Sequence, residues 1–229
     1  MTSSQSSLRG DDAPPDIDTY LQRLKREGSL LLVTGTVDET ISGIATRRLL
    51  GDPNCDRKRV LAFADPVADD YVDYCLPSGT SRRDPDVRVV TPDGTRRGEP
   101  GPERPPAGRV DRADVEQLRR GLTRAIAHYD ANADLAPAEL RVGVASLVPF
   151  LDATDRSAVE RLVRTLGEVV RGLDGMAHVH LPVADTAPVV DDLSPLFDAR
   201  IELRQRETFL PEQRWHVPQN GITTVWTEI

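Results

Sequence analysis

Leu30-Leu31-Leu32-Val33-Thr34-Gly35-Thr36-Val37-Asp38-Glu39-Thr40-Ile41-Ser42 is the stretch on which the fold turns. Four apolar residues in a row, Leu30 to Val33, suit a strand covered on both faces, since a strand with one wet face alternates apolar and polar side chains. A polar loop follows. Ile41, Ile44, Ala45 and Leu49 then recur at helical spacing as far as Gly51. Strand, loop and helix make the unit of an α/β sheet.

The same alternation extends outward. Upstream, Ile17, Tyr20, Leu21 and Leu24 share one helical face that stops at Gly28, and residues 1–15, rich in Ser, Asp and Pro, read as a disordered tail before a single domain spanning 16–229. Downstream, Val60–Phe63, Tyr71–Leu76 and Val87–Val90 read as strands. Residues 92–110 carry Gly, Pro and Arg without apolar periodicity, so a long exposed loop is expected there. Asp111 is placed to cap a helix carrying Val115, Leu118, Leu122 and Ile126. Leu140–Val144 reads as a strand, and Asp152 or Thr154 as the cap of a helix with Val159, Leu162, Val163, Leu166, Val169 and Val170 inward. Ala177–Leu181 is a further strand, 189–196 a short helix and Ala199–Leu203 another strand. Arg214–Val217 and Ile222–Trp226, split by Gln219-Asn220-Gly221, form a hairpin pattern. The expected fold is α/β: a mostly parallel central sheet with helices on both faces, closed by a C-terminal β-hairpin.

Composition narrows the function classes. The net charge is −8, which disfavours nucleic acid or an anionic membrane as partner. Only Lys25 and Lys58 are lysines, and Asp outnumbers Glu 25 to 12. Such a lysine-poor, Asp-rich surface suits a cytoplasm of high salt, where self-repulsion is screened. No run approaches the ~20 apolar residues of a membrane span, and the N-terminus has no signal-peptide core, so a cytoplasmic location is expected. Cys55 and Cys75 stand outside any Cys/His cluster and read as two buried, reduced thiols.

Ligands of such sheets bind beyond the carboxyl ends of the strands, which makes Val33–Ser42 the first candidate site. A working phosphate loop is glycine, four residues, glycine, lysine, then serine or threonine. Its backbone N–H groups surround the phosphates, its lysine neutralises them and its hydroxyl holds magnesium. In that frame Gly35 takes the first glycine position and Thr40 the second. Ile41 replaces the lysine, and Ser42 keeps the hydroxyl. Asp38 and Glu39 add negative charge. One unit-charge repulsion at 4 Å costs ~4 kcal/mol at an effective dielectric of ~20, against the ~0.3–1 kcal/mol that a helix N-terminus offers an anion. The same acids suit a helix start, with Asp38 or Thr40 as its cap.

The remaining candidates are weaker. A magnesium-coordinating aspartate is expected after a strand such as Leu140–Val144, and Ala145 stands there, followed by Ser146. Asp65 follows the second strand where a general base for water attack would sit, or it starts a turn before Pro66. His178 and His180 share one side of a strand, which fits a metal pair or two satisfied core histidines. Trp215 and Trp226 fit packing of the hairpin or a partner contact. The arginines of 96–109 fit a solvated loop or an anionic partner.

The segments LRVGVASLVPFLDATDRSAVERLVRTLGEVVRGLDGMAHVHLPV (140–183) and LSPLFDARIELRQ (193–205) resemble the KaiC/RecA-like, HTR-like proteins of halophilic archaea, within the P-loop superfamily. In that family an apolar strand ends in Asp-Ser-Leu, and a Leu-Phe-Asp step leads into a final strand. Here Ser146-Leu147 and Leu196-Phe197-Asp198 match, and Ala145 departs. The likeness spans about residues 28 to 229. It implies a RecA/KaiC-like fold and a regulatory role through protein partners, with self-association among them. Thr40, Ile41 and Ala145 remove the phosphate and metal contacts together, so the expectation is a pseudo-ATPase with no catalytic residue, metal ligand or cofactor. The alternative is a divergent ATP-binding protein or weak NTPase holding ATP and Mg. A DNA-associated accessory protein is the third reading, disfavoured by the charge.

Overall fold

The computed structural model describes residues 15–65, 67–92, 94–96, 112–153, 155–206, 209–218 and 221–229. The expected tail at 1–15 lies outside them except for Pro15. So do most of the 92–110 loop, Asp111, Thr154 and the Gln219-Asn220 pair of the turn.

The strands are β1 (Ser29–Thr34), β2 (Lys58–Ala62), β3 (Val87–Thr91), β4 (Gly94–Arg96), β5 (Leu140–Val144), β6 (Met176–Leu181), β7 (Ala199–Arg204), β8 (Glu212–Val217), β9 (Ile222–Thr223) and β10 (Thr227–Glu228). They form one sheet in the order β10-β8-β7-β1-β6-β5-β2-β3-β4, with β9 beside β8. The six central strands, β7 to β3 in that order, run parallel, and both margins are antiparallel.

Helices α1 (Pro15–Arg26), α2 (Glu39–Leu49) and α3 (Asp69–Cys75) cover one face. On the other lie α4 (Arg112–Asn132), α5 (Val148–Ala153), α6 (Arg156–Gly172) and α7 (Pro188–Leu193), the last followed by a 3₁₀ turn (Ser194–Leu196). The run Leu30–Val33 shows why it needed no polar member. Leu30 and Leu32 enter the core under α4 and α6, while Leu31 and Val33 enter the core under α1 and α2. All four are at most 1 % exposed, and each such side chain contributes about 1.5–3 kcal/mol.

Several expectations are corrected. Tyr71–Leu76 is not a strand: Tyr71–Cys75 belong to α3 and Leu76 is its C-cap. Asp69 and Asp70 favour its N-terminal end, Val72 and Cys75 point inward three residues apart, and Tyr71 and Tyr74 reach α2 at Glu39 O and Thr40 O. The expected 92–110 loop contains β4, which pairs antiparallel with β3. The helix expected after Asp152 is α6, but Asp152 is not its cap, because the unexpected short helix α5 precedes it. Ser146 Oγ accepts from Val148 N to start α5, Asp152 lies within α5, and Asp155 is the N-cap of α6. The second hairpin strand is broken, because Trp215 N donates to the Thr224 hydroxyl in place of a main-chain carbonyl; the chain rejoins β8 only at β10. Cys55 is exposed, whereas Cys75 is buried. No described helix is long and apolar enough to cross a membrane.

The Leu196-Phe197-Asp198 step has a structural task. Asp198 Oδ2 accepts from Leu30 N (2.7 Å) and from Arg171 Nε (3.1 Å) and Nη2 (2.9 Å), and its carbonyl accepts from the Tyr20 hydroxyl (2.6 Å). One carboxylate thus ties the entry of β1 to the end of α6.

Candidate functional site

The turn from β1 to α2 is short, with Glu39 already helical. Gly35 adopts φ +118, and a Cβ there would stand 2.1 Å from Leu203 O. Its N–H donates to Val183 O (2.9 Å), and its carbonyl accepts from Val37 N (3.1 Å). That N–H is therefore spent on the fold. Asp38 is the N-cap, as one of the two expected candidates, but its side chain makes no capping bond. Its carbonyl instead accepts from Ile41 N (3.0 Å) and Ser42 N (3.1 Å). Asp38, Glu39 and Thr40 are exposed and Ser42 is half-buried. Ile41 is 4 % exposed and packs in the cluster of Leu31, Val33, Ala45, Ile201 and Leu203. Gly35, Thr40, Ile41 and Ser42 thus share one strand–turn–helix, yet Gly35 and Ile41 are turned into the core and Thr40 out of it.

The other sequence candidates disperse. Ala145 N donates to Ala62 O, and Ala145 packs beside the cluster of Leu61 and Phe63. Asp65 is half-buried in the bend after β2, and β2 is separated from β1 by β6 and β5. His178 and His180 lie on the α2 side of β6 with ring centroids 5.5 Å apart. His180 Nε2 is 2.9 Å from the Thr46 hydroxyl, so it is satisfied; His178 Nε2 is buried without a partner. Burial pushes the His180 pKa down to about 4. Burial, then the neighbouring His180 and Arg141, push that of His178 well below the ordinary value. Trp215 packs against the core under α1 and α2. Trp226 lies under the guanidiniums of Arg204 (3.7 Å) and Arg214 (4.5 Å). Of the 96–109 arginines only Arg96 falls among the described residues, in β4.

At the carboxyl ends of β1 and β6, beside β7, lies a polar cluster that sequence reasoning missed. The Thr34 hydroxyl donates to Asp185 Oδ1 (2.6 Å), and Arg200 Nε pairs with the same oxygen at 2.9 Å. Arg214 Nε donates to Glu202 Oε2 (2.6 Å), and His216 Nε2 is 2.9 Å from that oxygen and 3.8 Å from Asp185 Oδ2. The register explains it: Arg200 faces His216, Glu202 faces Arg214 and Arg204 faces Glu212 across β7–β8. The alternation Arg200-Ile201-Glu202-Leu203-Arg204 was a visible signal, but Thr34 and Asp185 join only through the fold. Asp185, Glu202 and His216 offer ligand atoms within 4.8 Å of one another. Yet each carboxylate is already engaged by an arginine, so the group reads as an ion-pair network holding β8 to β7. Burial raises the Glu202 pKa, but the bonds from Arg214 and His216 outweigh it and hold the carboxyl below its usual range. It is ionised at neutral pH and unsuited to proton transfer there.

The family model of DUF7504, a family of unknown function, matches residues 28–203. The chain belongs to that family. The DUF7504 match ends within β7, so β8, β9 and β10 lie beyond it. Among solved structures, a KaiC-like protein from the hyperthermophilic archaeon Pyrococcus horikoshii OT3 is similar, with a TM-score of 0.55 at 11% identity over 84% of this chain and 80% of that one. At such identity the likeness is one of fold: this DUF7504 chain shares with that KaiC-like protein an α/β fold built on a mostly parallel central sheet. No curated protein sequence matches it.

Proposed function

We propose that this chain is a non-catalytic RecA/KaiC-like domain that works through protein contacts, including contacts with its own copies, in signalling or regulation. The observation that carries the reading is Ile41, which stands where a phosphate-loop lysine would and is 4 % exposed in the core. Three further facts support it: Asp38 and Glu39 charge the turn negatively, the Gly35 N–H is spent on Val183 O, and Ala145 follows β5 where a metal-binding carboxylate would be needed. The Asp-rich surface supports a high-salt cytoplasm as its setting.

Isothermal titration with Mg-ATP in high salt tests this: no binding heat is expected. Tight binding that vanishes in Ser42→Ala would establish the rival reading, a divergent ATP-binding switch. The combined change Thr40→Gly, Ile41→Lys and Ala145→Asp restores the missing groups. Weak ATP binding by that variant supports a phosphate loop that has decayed, whereas a folded variant that binds nothing means the turn never had phosphate-loop geometry. Light scattering across a dilution series tests self-association.

A further inference from the structure

At the far end of α2, where β2 and β5 begin, buried positive charge accumulates with no carboxylate in direct contact among the described residues. Arg59 and Arg141 are direct partners in the β2–β5 register and are 3 % and 7 % exposed. Like charges placed opposite each other across a sheet repel, and a buried guanidinium normally has a carboxylate partner. These two are in no ion pair with a carboxylate of the described residues. Arg59 donates to the carbonyls of Leu50 (3.3 Å), Asp52 (3.0 Å) and Arg57 (3.3 Å). Arg141 donates to the carbonyls of Ala138 (2.8 Å) and Leu49 (3.3 Å) and to Met176 Sδ (2.9 Å). The charges of Asp86 and Asp84 reach Arg59 from a distance; Asp86 Oδ1 is held by Lys58 (2.7 Å) and Asp84 Oδ2 accepts from Ser81 N (2.7 Å).

A third arginine converges on the pair. Arg57 Nε is buried without a hydrogen-bond partner. The Cβ position of Gly51, which has φ +86, lies between Arg57 and Arg141. The point a Cβ would occupy there is 3.3 Å from Arg57 Nε, 3.7 Å from Arg141 Nε and 3.8 Å from Arg141 Cζ. Burial and then the charge of Arg57 pull the Arg141 pKa down to about 10. The carboxyl end of α2 contributes roughly half a unit of negative charge, which leaves most of three positive charges uncompensated. The acids of the same loop, Asp52 and Asp56, are exposed, and Asp52 Oδ1 already accepts from Asn54 N (2.8 Å) and Nδ2 (3.0 Å).

We propose that Arg57, Arg59 and Arg141, with the loop from Gly51 to Asp56, bind a phosphate-class oxyanion, either free or as the end group of a larger molecule. Planar guanidinium forks suit such oxygens, and the anion supplies the charge that the fold omits. The site is at the opposite end of α2 from the β1–α2 turn and stands independently of how that turn is read.

Thermal melts of the full chain test it, with sodium phosphate set against sodium chloride at matched ionic strength. Phosphate at ten times its dissociation constant raises Tm by about 3–6 °C beyond chloride. Arg57→Met, at a half-buried position, abolishes the rise, and Arg57→Lys, which keeps the charge but loses the fork, weakens binding about tenfold. Arg164→Met, on the exposed side of α6, leaves the rise intact, as does Ser42→Ala. A matching rise with ADP that Arg57→Met abolishes assigns the end-group form, and a rise with phosphate alone assigns the free anion. Equal effects of phosphate and chloride, or a phosphate rise that survives in Arg57→Met, would overturn the site. A rise lost in Ser42→Ala instead would move the anion to the β1–α2 turn and overturn it equally.

Discussion

The two ends of α2 carry opposite charges. Its amino end has Asp38 and Glu39, and its carboxyl end has Arg47 and Arg48 in the last turn, with Arg141 donating to the carbonyl of Leu49 and Arg59 to that of Leu50. Both arrangements favour the helix dipole, each by about 0.3–1 kcal/mol where exposed. In a sheet of this kind, anions are held at the amino end of the helix after the first strand. Here that end repels an anion, while the other end, facing the base of the sheet, attracts one. The helix is arranged for the stability of the domain at the end where a nucleotide would demand the reverse.

The sharpest way to test this contrast is Gly35→Ala. A Cβ 2.1 Å from Leu203 O at φ +118 forces β1 and β7 apart, and a loss of more than about 4 kcal/mol is expected in urea denaturation. A loss under 1 kcal/mol would mean that the turn is free to rearrange, as a ligand-binding loop must be. Ile41→Lys comes next, because it buries an ammonium among Leu31, Val33 and Ile201. About 3 kcal/mol should be lost in the same assay, and full stability would show a lysine reaching the turn after all.

Acid should weaken the layer under the middle of α2. His178 and His180 have folded pKa values below the ordinary 6.5, with His180 at about 4. The unfolded chain therefore takes up protons first, and stability falls as pH drops through 6.5 toward 4. Lowering pH from 7.5 to 5.5 should cost about 1–3 kcal/mol. A flat profile of Tm over that range would contradict the buried, neutral pair. The smallest effect belongs to Asp38→Ala. With no side-chain capping bond to lose, only the dipole contribution goes, less than about 1 kcal/mol and smaller still in high salt.

The parallel core was legible because burial on both faces leaves a mark in the chain itself, namely unbroken apolar runs at Leu30–Val33 and Val60–Phe63, with Leu140–Val144 interrupted by Arg141. The segment Tyr71–Leu76 misled because aromatic and β-branched residues favour strands in isolation, while contacts to Glu39, Thr40 and Arg47 of α2 favour the helix. The residue types of the Gly35–Ser42 turn were readable, but the burial of Ile41 and the use of the Gly35 N–H were not. The ion-pair cluster was half visible in the charge alternation of β7. The arginine cluster was not visible at all, since Arg57, Arg59 and Arg141 look like ordinary charges until register brings them together.

By itself the amino-acid sequence determined the α/β class, the order of most elements, that the turn Gly35–Ser42 holds no lysine and that no aspartate directly follows Leu140–Val144. These follow from local periodicity and from the chemistry of single residues. Only the tertiary structure decided which charges meet. Arg59 and Arg141 lie 82 positions apart in the chain and Thr34 and Asp185 lie 151 apart; strand order and register set such distances, and neither is written in any one segment.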